Sequence, residues 1–259
     1  MRQITDIQEL RQLQMGILDN VHQFCQEHGL TYFLSSGSLI GAVRHGGYIP
    51  WDDDIDIYML RKDYERLLQI YQGNETYRLL NLDKEPHYYY TFAKVVDTRT
   101  RMIEKETDGY EIGVYIDVFP IDYVPDDLQE RERVFKKKHL LYKIRRCKIS
   151  NSNPLKSRLA YYFYKCWPLS VAQLNSRIRR LIVRQEPTHT VCHMTEAGPG
   201  IKCCFPAEDL ASAVDIKFED RTYKTMVGYK DYLEHTYGDY MTLPPVEQRT
   251  THKFTAYWL

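Results

Sequence analysis

Residues 35–58 read SSGSLIGAVRHGGYIPWDDDIDIY, and this stretch decides the fold. It consists of a Gly37-Ser38 turn, a short segment ending at Gly46-Gly47, and carboxylates that run into a β-prone tail, namely Asp52, Asp53, Asp54 and Asp56. Because side chains alternate along a strand, we expect a strand that puts Asp52, Asp54 and Asp56 on one face. Such charges repel one another unless a cation lies between them. The stretch therefore predicts a divalent metal held by oxygen ligands, Mg²⁺ or Mn²⁺.

Two simpler kinds of acidic site fit this stretch less well. A calcium loop of the EF-hand type is disfavoured, because Ile57 stands where the loop requires Gly and Asp63 where it requires Glu. A glycosyltransferase that binds a sugar nucleotide through an Asp-x-Asp metal clamp is compatible with the residues. That motif is short, however, and is unspecific without further support.

A nucleotidyltransferase-type site explains more of the chain. It needs a Gly-Ser pair at the start of a helix, an Asp-x-Asp pair on a strand and a third acid on a later strand. Gly37-Ser38, Asp54 with Asp56, and Asp117 occur in that order and spacing. Asp117 interrupts an apolar strand pattern, where a carboxylate is costly to bury without a partner. We therefore expect Asp117 to join the first cluster at one metal site.

Each predicted site residue has a chemical role in this interpretation. Backbone N–H groups at Gly37 and Ser38 would bind phosphate oxygens, since a helix N-terminus favours anions. Arg44 and Lys94 would bind the remaining phosphate charge, although Arg44 could equally cap its helix and Lys94 could lie on a solvated edge. His45 is either a hydrogen-bonding loop residue or a catalytic one. By alternation Asp53 points away from the metal and is structural or solvent-facing.

Hydrophobic periodicity predicts alternating helices and strands along the chain. Helices are expected over 4–28, 39–44, 62–71, 126–147, 155–184 and 227–237. Strands are expected over 30–34, 54–59, 77–81, 88–97, 100–106 and 113–120, with a hairpin arm over 218–226. Residues 150–154, SNSNP, are predicted to break the two long basic helices.

Charge is distributed unevenly. Residues 131–184 contain 16 Lys or Arg and a single acid, Glu132, although the whole chain is neutral with 35 basic and 35 acidic residues. The segment lacks a nucleic-acid-reading motif, so we expect no nucleic-acid partner. Its cations either form a solvated face or bind anionic lipid, with Lys136, Lys137, Lys138, Arg145 and Arg146 as the candidate contacts. Aromatic residues around Trp167 favour the lipid interpretation.

The stretch from Gly37 to Asp56 resembles the hallmark of the LicD family, with conservative changes. Further pieces are similar to the family, namely FAKVVD at 92–97, IDVFP at 116–120 and YLEHTYGDY at 232–240. The resemblance implies an α/β (α+β) fold in which a nucleotidyltransferase-like mixed sheet is flanked by helices and carries an inserted basic helical region. We expect a catalytic core over 1–125, the basic helices over 126–190 and a C-terminal segment over 191–259 that completes the core.

The resemblance also implies a reaction. Bacterial members transfer phosphocholine from CDP-choline to sugars of teichoic acid or lipopolysaccharide, and eukaryotic relatives transfer ribitol phosphate. Asp54, Asp56 and Asp117 would be catalytic and hold the metal, and fukutin-type members suggest that Asp52 joins them. The acceptor would be a lipid-linked glycan. Transfer of another CDP-linked alcohol, or a non-catalytic nucleotide-binding scaffold, remain alternatives.

The expected location follows from two observations. The N-terminus, MRQITDIQ, has no apolar core of a signal peptide, and six cysteines without disulfide-like spacing fit a reducing compartment. We therefore expect a cytoplasmic protein. The basic segment adds the expectation of a peripheral position on the inner face of the cytoplasmic membrane.

Overall fold

The computed structural model describes residues 1–85, 88–103, 110–150, 155–184, 186–196, 200–249 and 255–259. Within these ranges the strands are β1 (Arg2–Ile4), β2 (Phe33–Leu34), β3 (Asp56–Leu60), β4 (Tyr77–Leu80), β5 (Ala93–Ile103), β6 (Glu111–Val124), β7 (Thr190–His193), β8 (Phe205–Pro206), β9 (Ala213–Phe218), β10 (Arg221–Met226) and β11 (Thr255–Trp258). The helices are α1 (Ile7–His28), α2 (Ser36–His45), α3 (Arg61–Ile70), α4 (Leu128–Ile149), α5 (Arg158–Lys165), α6 (Val171–Ile182) and α7 (Tyr229–Tyr237).

A nine-stranded mixed sheet forms the centre of the protein. Its main path runs β1-β11-β5-β6-β3-β2, while β4 pairs with β5, and β7 joins β6 to β8. Only β3 and β6 are parallel among the described strand pairs. The terminal strands β1 and β11 pair with each other, and β11 continues onto β5. The α/β fold with helices flanking a mixed sheet is thus confirmed.

Apolar side chains cover both faces of the sheet. On β6, Ile116 and Val118 belong to the core that includes α1 and α3, whereas Phe119 and Ile121 belong to a second core that includes α2 and α7. This division follows from the alternation of strand side chains. Asp117 lies on the same face of β6 as Phe119, and Asp56 lies on the same face of β3 as Tyr58. Both acids therefore point toward the second core.

The basic segment packs as three helices beside the sheet. The helix α4 contacts α5 and α6, and α6 also contacts β6. Their shared core consists of Phe135, Ile144, Leu174, Ile178 and Ile182 together with side chains from β7. No helix in the described part of the chain is both long enough and apolar enough to cross a membrane.

Several sequence-based boundaries were wrong. The two strands expected on either side of Thr98-Arg99 are one strand, β5, whose register shifts between Asp97 and Met102, and residues 88–92 lie outside it. The helix expected over 155–184 is two helices, because Pro168 interrupts it. Residues 104–106 of a predicted strand and 151–154 of the predicted break lie outside the described residues.

Candidate active site

Three neighbouring strands align two acids and a lysine in one row across the sheet. Asp56 on β3 is the register partner of Asp117 on β6, and Asp117 is the register partner of Lys94 on β5. The backbone N–H of Asp117 donates to the carbonyl of Ile55 at 2.8 Å, which fixes the start of β3 against β6. Sheet register therefore unites residues that lie more than twenty positions apart in the chain.

Lys94 is buried and paired with an acid. Its Nζ lies 2.6 Å from Asp117 Oδ1, and the residue is 1% exposed. The ammonium also lies over the rings of Tyr115 and Tyr90, at 3.3 and 4.2 Å from their centroids. Burial lowers the pKa of Lys94, while the neighbouring carboxylates, with Asp117 first, oppose that change. The alternative of a solvated edge position for Lys94 is therefore wrong.

The carboxylates of the first cluster influence the ionisation of Asp56. Burial raises the pKa of Asp56 well above its usual range, and the charges of Asp54, Asp117 and Asp52 raise it further. The strand begins only at Asp56, so Asp52 and Asp54 precede it in a loop. The strand-alternation argument for Asp52 and Asp54 was therefore wrong, although the loop brings both of them close enough to act on Asp56.

The first turn of α2 packs against the acidic loop, which we define as residues 49–55 before β3. The N–H of Asp56 donates to the hydroxyl of Ser38 at 2.9 Å, so Ser38 anchors the start of β3. A Cβ added to Gly37 would lie 2.6 Å from Asp52 Oδ2, closer than packed atoms tolerate. Gly37 thus lets Asp52 approach the helix. Helix α2 starts at Ser36, three residues earlier than predicted, and Ser36 adopts a φ of 50°, which is uncommon for a residue other than Gly.

Two side chains of α1 hold the acidic loop, and the sequence reasoning missed both. Arg11 donates to the carbonyls of Ile49, Pro50 and Asp52 at 2.9, 3.1 and 2.8 Å. Gln14 donates to the carbonyl of Asp53 at 2.8 Å. A polar Gln at a buried position of an otherwise apolar helical face was the one available signal.

Asp53 lies in the interior rather than in solvent. Its side chain is buried, while its backbone carbonyl accepts the Gln14 bond. The solvent-facing alternative for Asp53 was therefore wrong, and the structural one agrees with its position.

Arg44 and His45 lie at the other end of α2 and face the C-terminal segment. Arg44 Nη1 donates to the carbonyl of Tyr240 at 2.7 Å, and its Nε donates to His45 Nε2 at 2.9 Å. The His45 ring meets the edge of Trp51, over which Arg249 also stacks at 4.8 Å. Burial lowers the pKa of Arg44 and that of His45. In this arrangement Arg44 holds residues 240–242 against α2, and its phosphate role stays a prediction.

A fifth acid, Glu196, lies near the row and was not predicted. Desolvation of its carboxyl raises its pKa and the charge of Asp117 raises it further, so the two carboxylates interact although Glu196 as a whole is exposed. Its backbone carbonyl accepts a bond of 2.8 Å from the buried Lys138 of α4. Glu196 follows β7, two strands from Asp56 in the sheet, and no short motif in the sequence marks it.

The donor chemistry fits a hard divalent cation, although the carboxylates are not gathered into a ligand cage. Asp52, Asp54, Asp56 and Asp117 supply only oxygen atoms, which Mg²⁺ and Mn²⁺ prefer. Over the described ranges, no group of three or more His, Cys, Asp or Glu side chains is arranged to hold a metal ion.

Comparison with known proteins agrees with this architecture. The pattern of the LicD/FKTN/FKRP nucleotidyltransferase domain matches residues 29–159. The chain belongs to the LicD family. It is 30% identical over 265 residues to the lipopolysaccharide cholinephosphotransferase LicD of Haemophilus influenzae, a match that covers 97% of each chain. It is also 51% identical over 81 residues to the mouse and human ribitol 5-phosphate transferase FKRP, a match that covers 31% of this chain and 13% of theirs.

The range that matches the LicD family contains the row of Lys94, Asp117 and Asp56. The matched range contains the α2 turn, the acidic loop, Lys94 and Asp117, so all the predicted site residues lie inside it. Glu196 lies outside that range, as do Arg11 and Gln14. The protein is thus a phosphate-group transferase of the LicD family.

Proposed function

We propose that the protein is a metal-dependent phosphotransferase that moves phosphocholine from CDP-choline to a sugar hydroxyl of a cell-surface glycan, such as a lipopolysaccharide or teichoic acid precursor. The observation that carries the chemistry is the row of Lys94, Asp117 and Asp56 across three adjacent strands. The choline donor is supported by the similarity to the Haemophilus enzyme along 97% of the chain.

The proposed metal ligands are Asp52, Asp54, Asp56 and Asp117. A bound Mg²⁺ or Mn²⁺ would neutralise phosphate charge and orient the attacking and leaving oxygens. Desolvation raises the pKa of the half-buried Asp56, and the charges of Asp54, Asp117 and Asp52 raise it further, so a cation among them would favour the ionised form. Ser38 holds the backbone of Asp56, and Arg11 holds that of Asp52, so both ends of the acidic loop are fixed before donor binds.

We propose the following proton and bond changes. The oxygen of the acceptor hydroxyl attacks the phosphorus that carries choline, the bond from that phosphorus to the CMP oxygen breaks, and Asp117 accepts the hydroxyl proton. Lys94 donates to Asp117 and so fixes the orientation of its carboxylate. The N–H groups of Gly37 and Ser38 at the start of α2 bind phosphate oxygens of the donor.

Aromatic side chains near Lys94 are the proposed contacts for the quaternary ammonium of choline. Tyr89, Tyr90 and Tyr110 contact one another, and Tyr90 also lies over the Lys94 ammonium. Aromatic faces attract quaternary ammonium groups. Trp51, in the loop before β3, packs instead with His45 and Arg249.

The same experiment should test alternative donors. The 51% identity to the ribitol 5-phosphate transferase FKRP over 81 residues supports CDP-ribitol as an alternative donor, although this match covers only 31% of the chain. Incubation with Mg²⁺ and CDP-choline, CDP-ribitol or CDP-glycerol, with and without glycan acceptors, should release CMP from CDP-choline. Release only from CDP-ribitol or CDP-glycerol would shift the proposal to that alcohol.

A charge-removing variant tests the site itself. Asp54→Asn should abolish CMP release, since an amide cannot supply the ligand charge. Asp220→Asn, at an exposed position beside the β9–β10 hairpin, is the matched control and should retain activity. Nucleotide binding without any CMP release from the wild type would instead support a non-catalytic scaffold.

A further inference from the structure

Helix α5 exposes three large apolar side chains on one face. Leu159, Tyr162 and Phe163 are 83%, 60% and 61% exposed, and they follow the i, i+3, i+4 spacing of a single helical face. The opposite side of the helix buries Tyr161 against the rest of the protein. Phe163 continues into Trp167, whose ring lies 5.5 Å away edge-on. Exposed apolar groups gathered on one surface mark an interaction site more often than scattered ones.

Cations border this face. Lys156 and Arg158 are exposed at the start of α5. Lys143 of α4 lies over the ring of Tyr164 at 5.3 Å, and Arg146, one turn later on α4, is exposed. No Asp or Glu occurs in the sequence between residues 133 and 184. The segment that carries the apolar face is thus strongly cationic, which favours an anionic partner.

Two other cations of the basic segment are buried and form hydrogen bonds within the protein. Lys138 donates to the carbonyl of Glu196, and Arg145 donates to Asn175 and to the carbonyl of Tyr89. Both side chains are buried. The sequence-based set of lipid-binding cations was therefore wrong for Lys138 and Arg145, which cannot reach an outside surface. The exposed cations near α5 form a smaller and different set.

We propose that α5 docks on the surface of an anionic lipid bilayer. Leu159, Tyr162 and Phe163 enter the boundary between headgroups and acyl chains, as amphipathic helices lying in the interface do. Lys156, Arg158 and Arg146 contact lipid phosphates. The choice of lipid over protein rests on charge complementarity and on Trp167 and Tyr162, whose amphipathic rings suit a membrane–water interface. The inference stands on this surface alone and does not depend on the proposed function.

Vesicle sedimentation tests the inference. The full-length protein should sediment with phosphatidylcholine vesicles containing a quarter of phosphatidylglycerol at 50 mM salt. It should sediment at least about tenfold less with pure phosphatidylcholine vesicles or at 500 mM salt, because screening weakens binding between charged surfaces.

Two variants separate the contributions. The apolar variant is Leu159→Ser/Tyr162→Ser/Phe163→Ser, and the charge variant is Arg146→Gln/Lys156→Gln/Arg158→Gln. Each should reduce binding to anionic vesicles at least about tenfold. Matched controls change exposed residues elsewhere, Met241→Ser/Leu243→Ser/Val246→Ser and Lys202→Gln/Lys217→Gln/Lys230→Gln, and should bind as the wild type does.

Three outcomes would overturn the inference. They are absence of wild-type sedimentation with anionic vesicles, full binding by both α5 variants, and equal losses in the control variants. Circular dichroism and thermal melting of each variant separate unfolding from a loss of docking. Light scattering tests whether a second copy of the chain binds this face instead. If the wild type is a dimer that does not bind vesicles, and the apolar variant is a monomer, the face serves self-association.

Discussion

Lys94 Nζ and Asp117 Oδ1 form a buried contact of 2.6 Å between opposed positions of β5 and β6. Removing one partner of such a pair leaves an uncompensated charge in the interior. Lys94→Met should therefore lower the free energy of unfolding by about 3–5 kcal/mol. The pair also fixes Asp117 for its role in the site, so CMP release should be lost as well.

A double-mutant cycle checks this pair by urea denaturation. Lys94→Met/Asp117→Asn should cost less than the sum of the two single changes, since it removes both charges. Lys62→Met, at an exposed position of α3, is the control and should stay within about 0.5 kcal/mol of the wild type. Equal stability of Lys94→Met and Lys62→Met would contradict the contact.

The close approach of Gly37 to Asp52 gives a second prediction. Gly37→Ala places a methyl group 2.6 Å from Asp52 Oδ2, so the carboxylate must move. A displacement of about 1 Å at a reacting centre costs on the order of 100-fold in rate. We expect that loss in the kcat of CMP release, with a melting temperature close to that of the wild type because Ala favours a helix. Gly200→Ala meets no atom of the described residues within 4 Å and should be neutral.

Arg11 is expected to be a positioning residue for the acidic loop. Arg11→Ala removes donors from three carbonyls, including that of Asp52, and should lower kcat about 10- to 100-fold. The concentration of Mg²⁺ needed for half-maximal activity should rise in the same variant. Arg66→Ala, exposed on α3, is the control. An unchanged Mg²⁺ requirement in Arg11→Ala would leave Arg11 with a role in stability alone.

His193 should make the fold sensitive to acid. Burial lowers the pKa of His193 from 6.5 to about 3, with further contributions from Lys138 and Arg61. Between those pH values the unfolded chain binds a proton that the folded protein does not, so stability falls as the pH falls below 6.5. The loss should reach about 2 kcal/mol at pH 5.

Urea denaturation at pH 7 and pH 5 measures this effect. In His193→Gln the additional loss at pH 5 should disappear, whereas the exposed His139→Gln should lose stability as the wild type does. A parallel acid response in wild type and His193→Gln would show that His193 is not the group responsible.

Much of the candidate site could be proposed from one stretch because its residues are close together in the chain. Gly37, Ser38 and the acids up to Asp56 are consecutive or nearly so, and the unusual density of carboxylates indicates a cation. The family and the α/β fold followed from the same stretch and are confirmed. Asp117 was also within reach, since a carboxylate in an apolar strand pattern needs a partner.

The rest depended on tertiary structure. Local periodicity gives the parity of a strand residue but not its neighbours, so only the β5–β6–β3 register could pair Lys94 with Asp117 and align Asp117 with Asp56. The charge pattern of the sequence also cannot distinguish a buried cation from an exposed one. Lys138 and Arg145 are buried, whereas Lys156 and Arg158 are exposed. Arg11, Gln14 and Glu196 approach the acidic loop and the strand row from distant segments, through contacts that no local pattern encodes.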